Sequence, residues 1–416
     1  MPEFLQLIPP GEALSLMMAN LKESQGDGFQ VPREEIHVQQ ALGRVTAEAV
    51  KAPHPLPSFP RSTVDGFAVR AADTYGASEG LPAYLSVVGE VPMGSQPDFD
   101  IRPSECALIH TGGMLPASSD GVVMVEHTQS VRGGEIEILR AVAVGENVLN
   151  VGEDVSSGQE VIPAGMRLRA AEIGGLAGLG VSKLQVARQA KVAILSSGDE
   201  VVPLEAQIQP GQVRDINAYS LSALVDEAGG EAVYFGIVGD DAQAMEAIAA
   251  QALEACDMAV ITAGSSASTR DLTSTVINRL GKPGVLVHGV NVRPGKPTIL
   301  AVCNGKAMIG LPGNPVSALV IASLFVVPVI HHLLGLVKGR LRPALSARLS
   351  LNLASQAGRE DWIPVRLYLA EGGYQAEPVF GKSNLIFTLS RADGLVRIPP
   401  DATGLSAGEQ VEVILL

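Results

Sequence analysis

Two kinds of side chain in this sequence have the type and spacing to do chemistry together. Asp199, Glu200, Asp240, Asp241 and Asp271 each lie in a loop that follows a short apolar run, and such carboxylates hold Mg²⁺ together with a substrate phosphate. Arg293 and Lys296, in Arg293-Pro294-Gly295-Lys296-Pro297, supply the positive charge that an oxyanion needs. A second loop, Leu311-Pro312-Gly313-Asn314-Pro315, opens an apolar helix, with Asn314 at the N-cap position and Pro315 first in the helix. Free backbone N–H groups and a positive helix end then lie beside Gly313, which suits an anion. Singly these are ordinary turns and loop-capping acids. Together they point to metal-assisted chemistry on a phosphate or similar oxyanion.

Other chemistries lack their residues. The seven histidines are scattered, with no H-x-E or H-E-x-x-H spacing, and Cys106, Cys256 and Cys303 form no C-x-x-C pair. Three distant cysteines fit a reducing compartment, and a cytoplasmic location is expected. Gly381-Lys382-Ser383 ends like a P-loop, but Ala376 stands where the first glycine belongs. A net charge of -14 argues against nonspecific binding to nucleic acid or a membrane surface. The N-terminus has no basic n-region, and the apolar run Ala318 to Ile330 is expected to be too short to cross a bilayer.

The elements that must position these groups follow from period and punctuation. The length of 416 residues is too great for one core and gives a prior of about three domains. Helices are expected over Gly11 to Asn20 and Glu34 to Leu42, then short β runs with Gly/Pro turns between Tyr84 and Leu139. A small-residue helix is expected over Ala170 to Gly180. From Lys191 the rhythm is strand, loop, helix, which predicts a parallel sheet wrapped by helices. Its strands are expected over Lys191 to Leu195, Ala232 to Val238, Met258 to Thr262 and Val285 to Val290. Pro297 to Cys303 and Lys306 to Leu311 form a hairpin turned at Asn304-Gly305. In an open α/β sheet the loops after the strands converge on one crevice, where ligands bind. Beyond Gly339 the alternating runs predict a small β domain, such as a barrel.

The ordered motifs Arg61-Ser-Thr-Val-Asp-Gly-Phe-Ala, Thr111-Gly-Gly, Asp120-Gly-Val-Val-Met-Val-Glu126, Gly152-Glu-Asp154, Ser197-Gly-Asp-Glu200, Asp240-Asp241, Asp271, Pro294-Gly-Lys-Pro297 and Leu311-Pro-Gly-Asn-Pro-Val-Ser317 strongly resemble the MoeA family, to which the gephyrin E domain also belongs. The likeness runs from about Gly11 to the C-terminus. It implies a multi-domain α/β plus β protein: an N-terminal and linker domain from 1–50 and 141–187, a β-rich domain 51–140, a central doubly wound MogA-like α/β domain 188–335, and a C-terminal barrel-like β domain 336–416. It implies molybdenum insertion into adenylylated molybdopterin, with molybdate as co-substrate, Mg²⁺ as cofactor and AMP released. It also implies a homodimer with the active site between subunits, and a MogA-type adenylyltransferase as a partner.

Carried over residue by residue, the resemblance places Asp240 and Asp271 near the metal and phosphate, with Arg293 and Lys296 beside molybdate. Ser197, Gly198, Glu200 and Asn217 fall in the nucleotide and pterin pocket, Gly313, Asn314 and Pro315 in its phosphate-side wall, and Arg359 and Ser383 join the molybdate side. Asp65, Thr111, Glu126 and Asp154 match motifs facing the pocket from the partner subunit. The loop Ala263 to Asp271 departs from the family pattern, with Ala263 and Ser268 replacing glycines. A left-handed backbone there would cost on the order of 1 kcal/mol or more. Ser265 and Ser266 add donors for an oxyanion. Arg293 stands where many relatives have lysine, trading a point charge for a fork. Two other readings remain: a non-catalytic molybdopterin-binding scaffold, motivated by that altered loop, and a molybdopterin adenylyltransferase, against which the flanking domains argue.

Overall fold

The computed structural model describes residues 7–26, 28–263, 267–337 and 343–416, with side chains omitted over 267–271. Its centre is a six-stranded sheet in the order Glu231–Val238, Lys191–Ser197, Met258–Ala263, Lys306–Pro312, Ile299–Cys303, Pro283–His288. Five strands run the same way. Ile299–Cys303 runs against both its neighbours, so the sheet is mixed where the sequence predicts a parallel one. The Asn304-Gly305 hairpin explains this, because a two-residue turn can join only antiparallel strands. Reversing this one strand returns Pro283–His288 to the common direction. The Arg293 to Pro297 loop therefore leaves the same edge as the other site loops.

Side chains alternate across the sheet and fill two cores. Val192, Ile194, Val260, Leu300 and Ile309 face the helices Asn217–Ala228 and Pro315–Leu333. Ala193, Leu195, Ile261, Ala301 and Met308 face Ala242–Ala255 and Ala267–Leu280. The N-terminal helix Pro10–Gln25 inserts Ala13, Met17 and Leu21, none of them exposed, into the first core. Pro315–Leu333 has 19 residues with mean hydropathy 2.1, so it is long and apolar enough to span a bilayer, contrary to expectation. Its apolar faces are instead spent on the core, where Ile321, Phe325, Val329 and Ile330 have no exposed surface. A π turn, Ala322–Val326, interrupts it.

At the C-terminus, Glu360–Ala370, Gly373–Pro378, Ala344–Leu349, Gln410–Leu415 and Gly394–Ile398 close on one another as a five-stranded barrel, the first pairing with the last. Near the N-terminus a six-stranded sheet includes Gly66–Val69, Ala83–Val91 and Glu105–Ile109, with its own cores.

The helix expected over Glu34 to Leu42 is a strand, Arg33–His37, paired with Lys183–Ala187 and followed by one 3-10 turn at Val38–Gln40. Cross-strand bonding, including Lys183 Nζ to Glu35 Oε1 at 3.0 Å, overrides the local helical spacing. Gly76-Ala77-Ser78-Glu79-Gly80 carries the letter spacing of a serine-hydrolase elbow. Ser78 there exchanges backbone bonds with Leu81 in a tight turn, rather than joining a strand to a helix.

Candidate active site

Strand Lys191–Ser197 delivers Ser197 to the carboxyl edge of the sheet, where its Oγ lies 3.5 Å from Asp240 Oδ1. The next residue must be glycine. Gly198 has φ 144°, and a Cβ there would meet Glu200 Oε2 at 2.6 Å. Glu200 is thus folded back over the turn. The Asp240 amide donates to Asp199 Oδ1 at 3.1 Å, so two loops are laced into one oxygen-rich rim. Asp241 has the blander role, accepting from Ala244 N at 2.7 Å as an N-cap.

Asn217 opens the helix Asn217–Ala228 beside this rim. Its Nδ2 donates to the Gly313 carbonyl at 2.8 Å, while its Oδ1 is buried with no partner. Leaving such an acceptor unpaired costs about 1–3 kcal/mol, a cost consistent with a site that a donor-bearing ligand completes. The helix start is held by Asp215, 4% exposed, which accepts from Ala218 N at 3.0 Å and from the Tyr234 hydroxyl at 3.0 Å. Burial first, and then the Asp215 charge, push the Tyr234 phenol upward, so it remains a donor.

The Arg293 to Pro297 loop is pinned by packing. Gly295 has φ 113°, a Cβ there would lie 2.2 Å from Ile321 Cγ1, and its carbonyl accepts from the buried Thr298 Oγ1 at 2.6 Å. Lys296 and Arg293 project outward as exposed side chains. Val292–Arg293 pairs with the first residues of barrel strand Glu360–Ala370. This pairing sets Arg293 opposite Asp361, which is fully buried. Arg359 grips Asp361 with Nε and Nη2 at 2.6 and 3.0 Å, and Arg293 Nη1 stands 3.7 Å from the same carboxylate. Asn314 is at the N-cap position, with Pro315 following, but its side chain does not cap the helix. Its Nδ2 donates to Ser383 Oγ at 3.1 Å. Ser383 also accepts Val316 N at its carbonyl, 3.1 Å away.

Thus Ser197, Gly198, Glu200, Asn217, Asp240, Arg293, Lys296, Gly313, Asn314 and Pro315 belong to loops at one edge of the sheet, and Arg359 and Ser383 reach that edge from the barrel. Asp65 and Thr111 form a separate group on the N-terminal sheet. Asp65 Oδ1 accepts from Thr111 N at 2.8 Å, a bond that holds its carboxyl below the usual range. Glu126, in the turn Val125–His127, and Asp154 are exposed in that part of the chain. Ser265, Ser266 and the Asp271 side chain lie outside the described residues, so the Asp240–Asp271 metal pair does too. Among the described residues no three His, Cys, Asp or Glu side chains gather into a metal cluster. The two replaced glycines carry no left-handed strain. Ala263 ends strand Met258–Ala263 opposite Pro312, and Ser268 falls within helix Ala267–Leu280.

Three successive stretches match known regions: residues 8–180 the MoeA N-terminal region (domain I and II), 193–332 a probable molybdopterin binding domain, and 346–416 the MoeA C-terminal region (domain IV). The chain belongs to the MoeA family. It is 34% identical over 392 residues to a molybdopterin molybdenumtransferase of Nostoc sp., covering 93% of this chain and 89% of that one. A putative molybdopterin biosynthesis protein of Methanocaldococcus jannaschii is 33% identical, with 99% of this chain and 98% of that one covered. Two crystal structures of molybdopterin biosynthesis MoeA protein from Pyrococcus horikoshii superpose with TM-scores of 0.79 and 0.84, at 37% and 28% identity. Each covers 99% of this chain, and 99% and 100% of theirs. Within this MoeA-family site, sequence reasoning passed over Tyr234 and Asp361. Asp361 had a signal, an acid two residues after Arg359 in a strand-like run. Tyr234 had none beyond strand propensity.

Proposed function

We propose that this chain is a molybdopterin molybdenumtransferase that takes adenylylated molybdopterin and molybdate, cleaves the phosphoanhydride, and releases AMP and the metallated cofactor. The observation that carries the reading is the convergence, on one sheet edge, of the Ser197–Asp240 oxygen pair with the Arg293–Arg359 pair. The substrates are a phosphoanhydride and a tetrahedral oxyanion, and each needs charge stabilisation in one cleft. Membership of the MoeA family and the name of the Nostoc relative support the same reading.

Asn217 and the Gly313 carbonyl form the wall against which the pterin is held, with the unpaired Asn217 Oδ1 accepting from it. Ser197, Gly198 and Glu200 line the nucleotide side. Lys296 and Arg293 face the oxyanion, and Asn314, Pro315, Arg359 and Ser383 close that end. Magnesium fits the donor set, because Asp240 and the Ser197 hydroxyl offer hard oxygen ligands and this ion needs only one or two carboxylates beside a phosphate. Asp271 is the second proposed ligand. When bound, the ion would neutralise charge that builds on the leaving phosphate. Asp65, Thr111, Glu126 and Asp154 are proposed to face the pocket of a second copy in a homodimer. A cytoplasmic setting and substrate delivery by a MogA-type adenylyltransferase complete the proposal.

The test is AMP release from adenylylated molybdopterin by purified protein with Mg²⁺, with and without molybdate, and with tungstate in parallel. Release coupled to either oxyanion supports a transferase and names its metal. Tight pterin binding without release would instead make the chain a non-catalytic molybdopterin-binding protein.

A further inference from the structure

The two arginines at the molybdate end do not hold Asp361 equally, and the difference has a use. Asp361 has no exposed surface and is gripped by Arg359 through a two-pronged fork at 2.6 and 3.0 Å, with the Arg359 side chain itself only 25% exposed. Arg293 reaches the same carboxylate with one nitrogen at 3.7 Å, beyond hydrogen-bond length, and its side chain is 61% exposed. The neighbouring Glu360 cannot stand in for Asp361. It turns to the other face of the strand, taking the Trp362 indole N–H at 2.8 Å and Arg397 Nη2 at 2.7 Å. One arginine is therefore locked, and the other is tethered by charge alone.

We infer that Asp361 is a positioning residue that competes with the substrate oxyanion for Arg293: it fixes Arg359 and holds Arg293 loosely in reserve until a dianion takes that guanidinium over. This rests on the reading of Arg293 and Arg359 as the molybdate end of the site. The physical basis is an exchange of partners. A guanidinium paired with a carboxylate at 3.7 Å gives up part of a Coulomb attraction when it turns to a doubly charged oxyanion, and gains charge-assisted hydrogen bonds in return. The carboxylate thus weakens the hold on the oxyanion, and the hold of Arg293 becomes reversible. Arg359, already satisfied through its fork, stays in place during the exchange.

The inference fixes a sign that ordinary structural damage would not produce. In Asp361→Asn the competing charge is gone while the side-chain shape and one acceptor for Arg359 remain. The KM for molybdate should fall about five-fold, since an interaction of about 1 kcal/mol no longer has to be surrendered. The KM for adenylylated molybdopterin should stay unchanged. Arg293→Ala/Asp361→Asn should lose that gain, giving the same molybdate KM as Arg293→Ala alone. Molybdate binding by calorimetry, read on the same folded proteins, should show the same order. A molybdate KM that rises in Asp361→Asn, or a gain that survives removal of Arg293, overturns the inference. Should Asp361→Asn not fold, Asp361→Ser takes its place, because it removes the same charge with a smaller side chain. Its molybdate KM should fall with the pterin KM constant, and a molybdate KM that rises would overturn the competition. If the wild-type chain neither binds molybdate nor depends on it, the functional reading itself fails, an outcome distinct from the others.

Discussion

Asn314 Nδ2 donates to Ser383 Oγ at 3.1 Å, so the start of the helix Pro315–Leu333 is tied to a loop of the C-terminal barrel. The candidate site therefore draws on both the central sheet and the barrel, and the bond between them is a place where chemistry and stability can be pulled apart.

Ser383→Ala removes the acceptor but keeps the backbone bond from Val316. We expect a molybdate KM raised about tenfold, with thermal stability lowered by about 1 kcal/mol or less, because a neutral bond contributes little net. Steady-state kinetics with molybdate varied, alongside a thermal melt, checks both. An unaltered molybdate KM would remove Ser383 from the site.

Gly295→Ala places a methyl group 2.2 Å from Ile321 Cγ1 on a backbone with φ 113°. Both the left-handed strain and the overlap oppose folding, and a loss of about 2 kcal/mol or more is expected in urea denaturation. Gly11→Ala, at a helix position where a Cβ meets nothing within 4 Å, is the control and should be neutral or slightly stabilising.

Asn217→Asp exchanges the donor facing the Gly313 carbonyl for a carboxylate oxygen. Pterin binding should weaken by about tenfold or more, read by fluorescence titration, because two acceptors then oppose one another in a buried place. Binding equal to wild type would show that the Nδ2 bond to the Gly313 carbonyl has no part in shaping the pocket.

Glu172 supplies a pH dependence of stability with a definite sign. Its pairing with Arg169, which donates Nη2 to Oε1 at 2.6 Å, holds the carboxyl down to about 2 from 4.5. A folded-state value below the unfolded one stabilises the fold above the unfolded value and ceases to do so as pH falls through the folded one. The stability difference between wild type and Glu172→Gln should therefore be constant near neutrality and shrink between about pH 4.5 and 2. Much of it is screened by solvent, since the Arg169 side chain is 64% exposed. Chemical denaturation at stepped pH, at low and moderate salt, reads it.

The sequence showed the Gly295 and Gly313 loops, since glycine and proline between apolar runs leave few alternatives. It did not show why Gly295 is obligatory, because Ile321 lies 26 residues further on and meets it only through packing. Asn314 stands at the expected N-cap position, yet its amide turns to Ser383, a choice made by a distant part of the chain. Arg33–His37 was lost to a helical reading for a similar reason: its partner strand is about 150 residues away. Local pattern reveals the elements. Long-range contacts decide what they touch.

The helix Pro10–Gln25 also has a consequence in time. Met17 and Leu21 bury themselves against Leu300 and Ile309, residues made almost 300 positions later. At a synthesis rate of about 5–20 residues per second, this helix leaves the ribosome about 15–60 s before the strands that cover it. Throughout that interval the residues that cover this apolar face are not yet available, and the newborn chain is expected to need shelter during synthesis. A nascent polypeptide halted before residue 299 should remain bound to holdase chaperones and be degraded quickly by added protease. One extended far enough that Leu333 has left the ribosome should lose both properties.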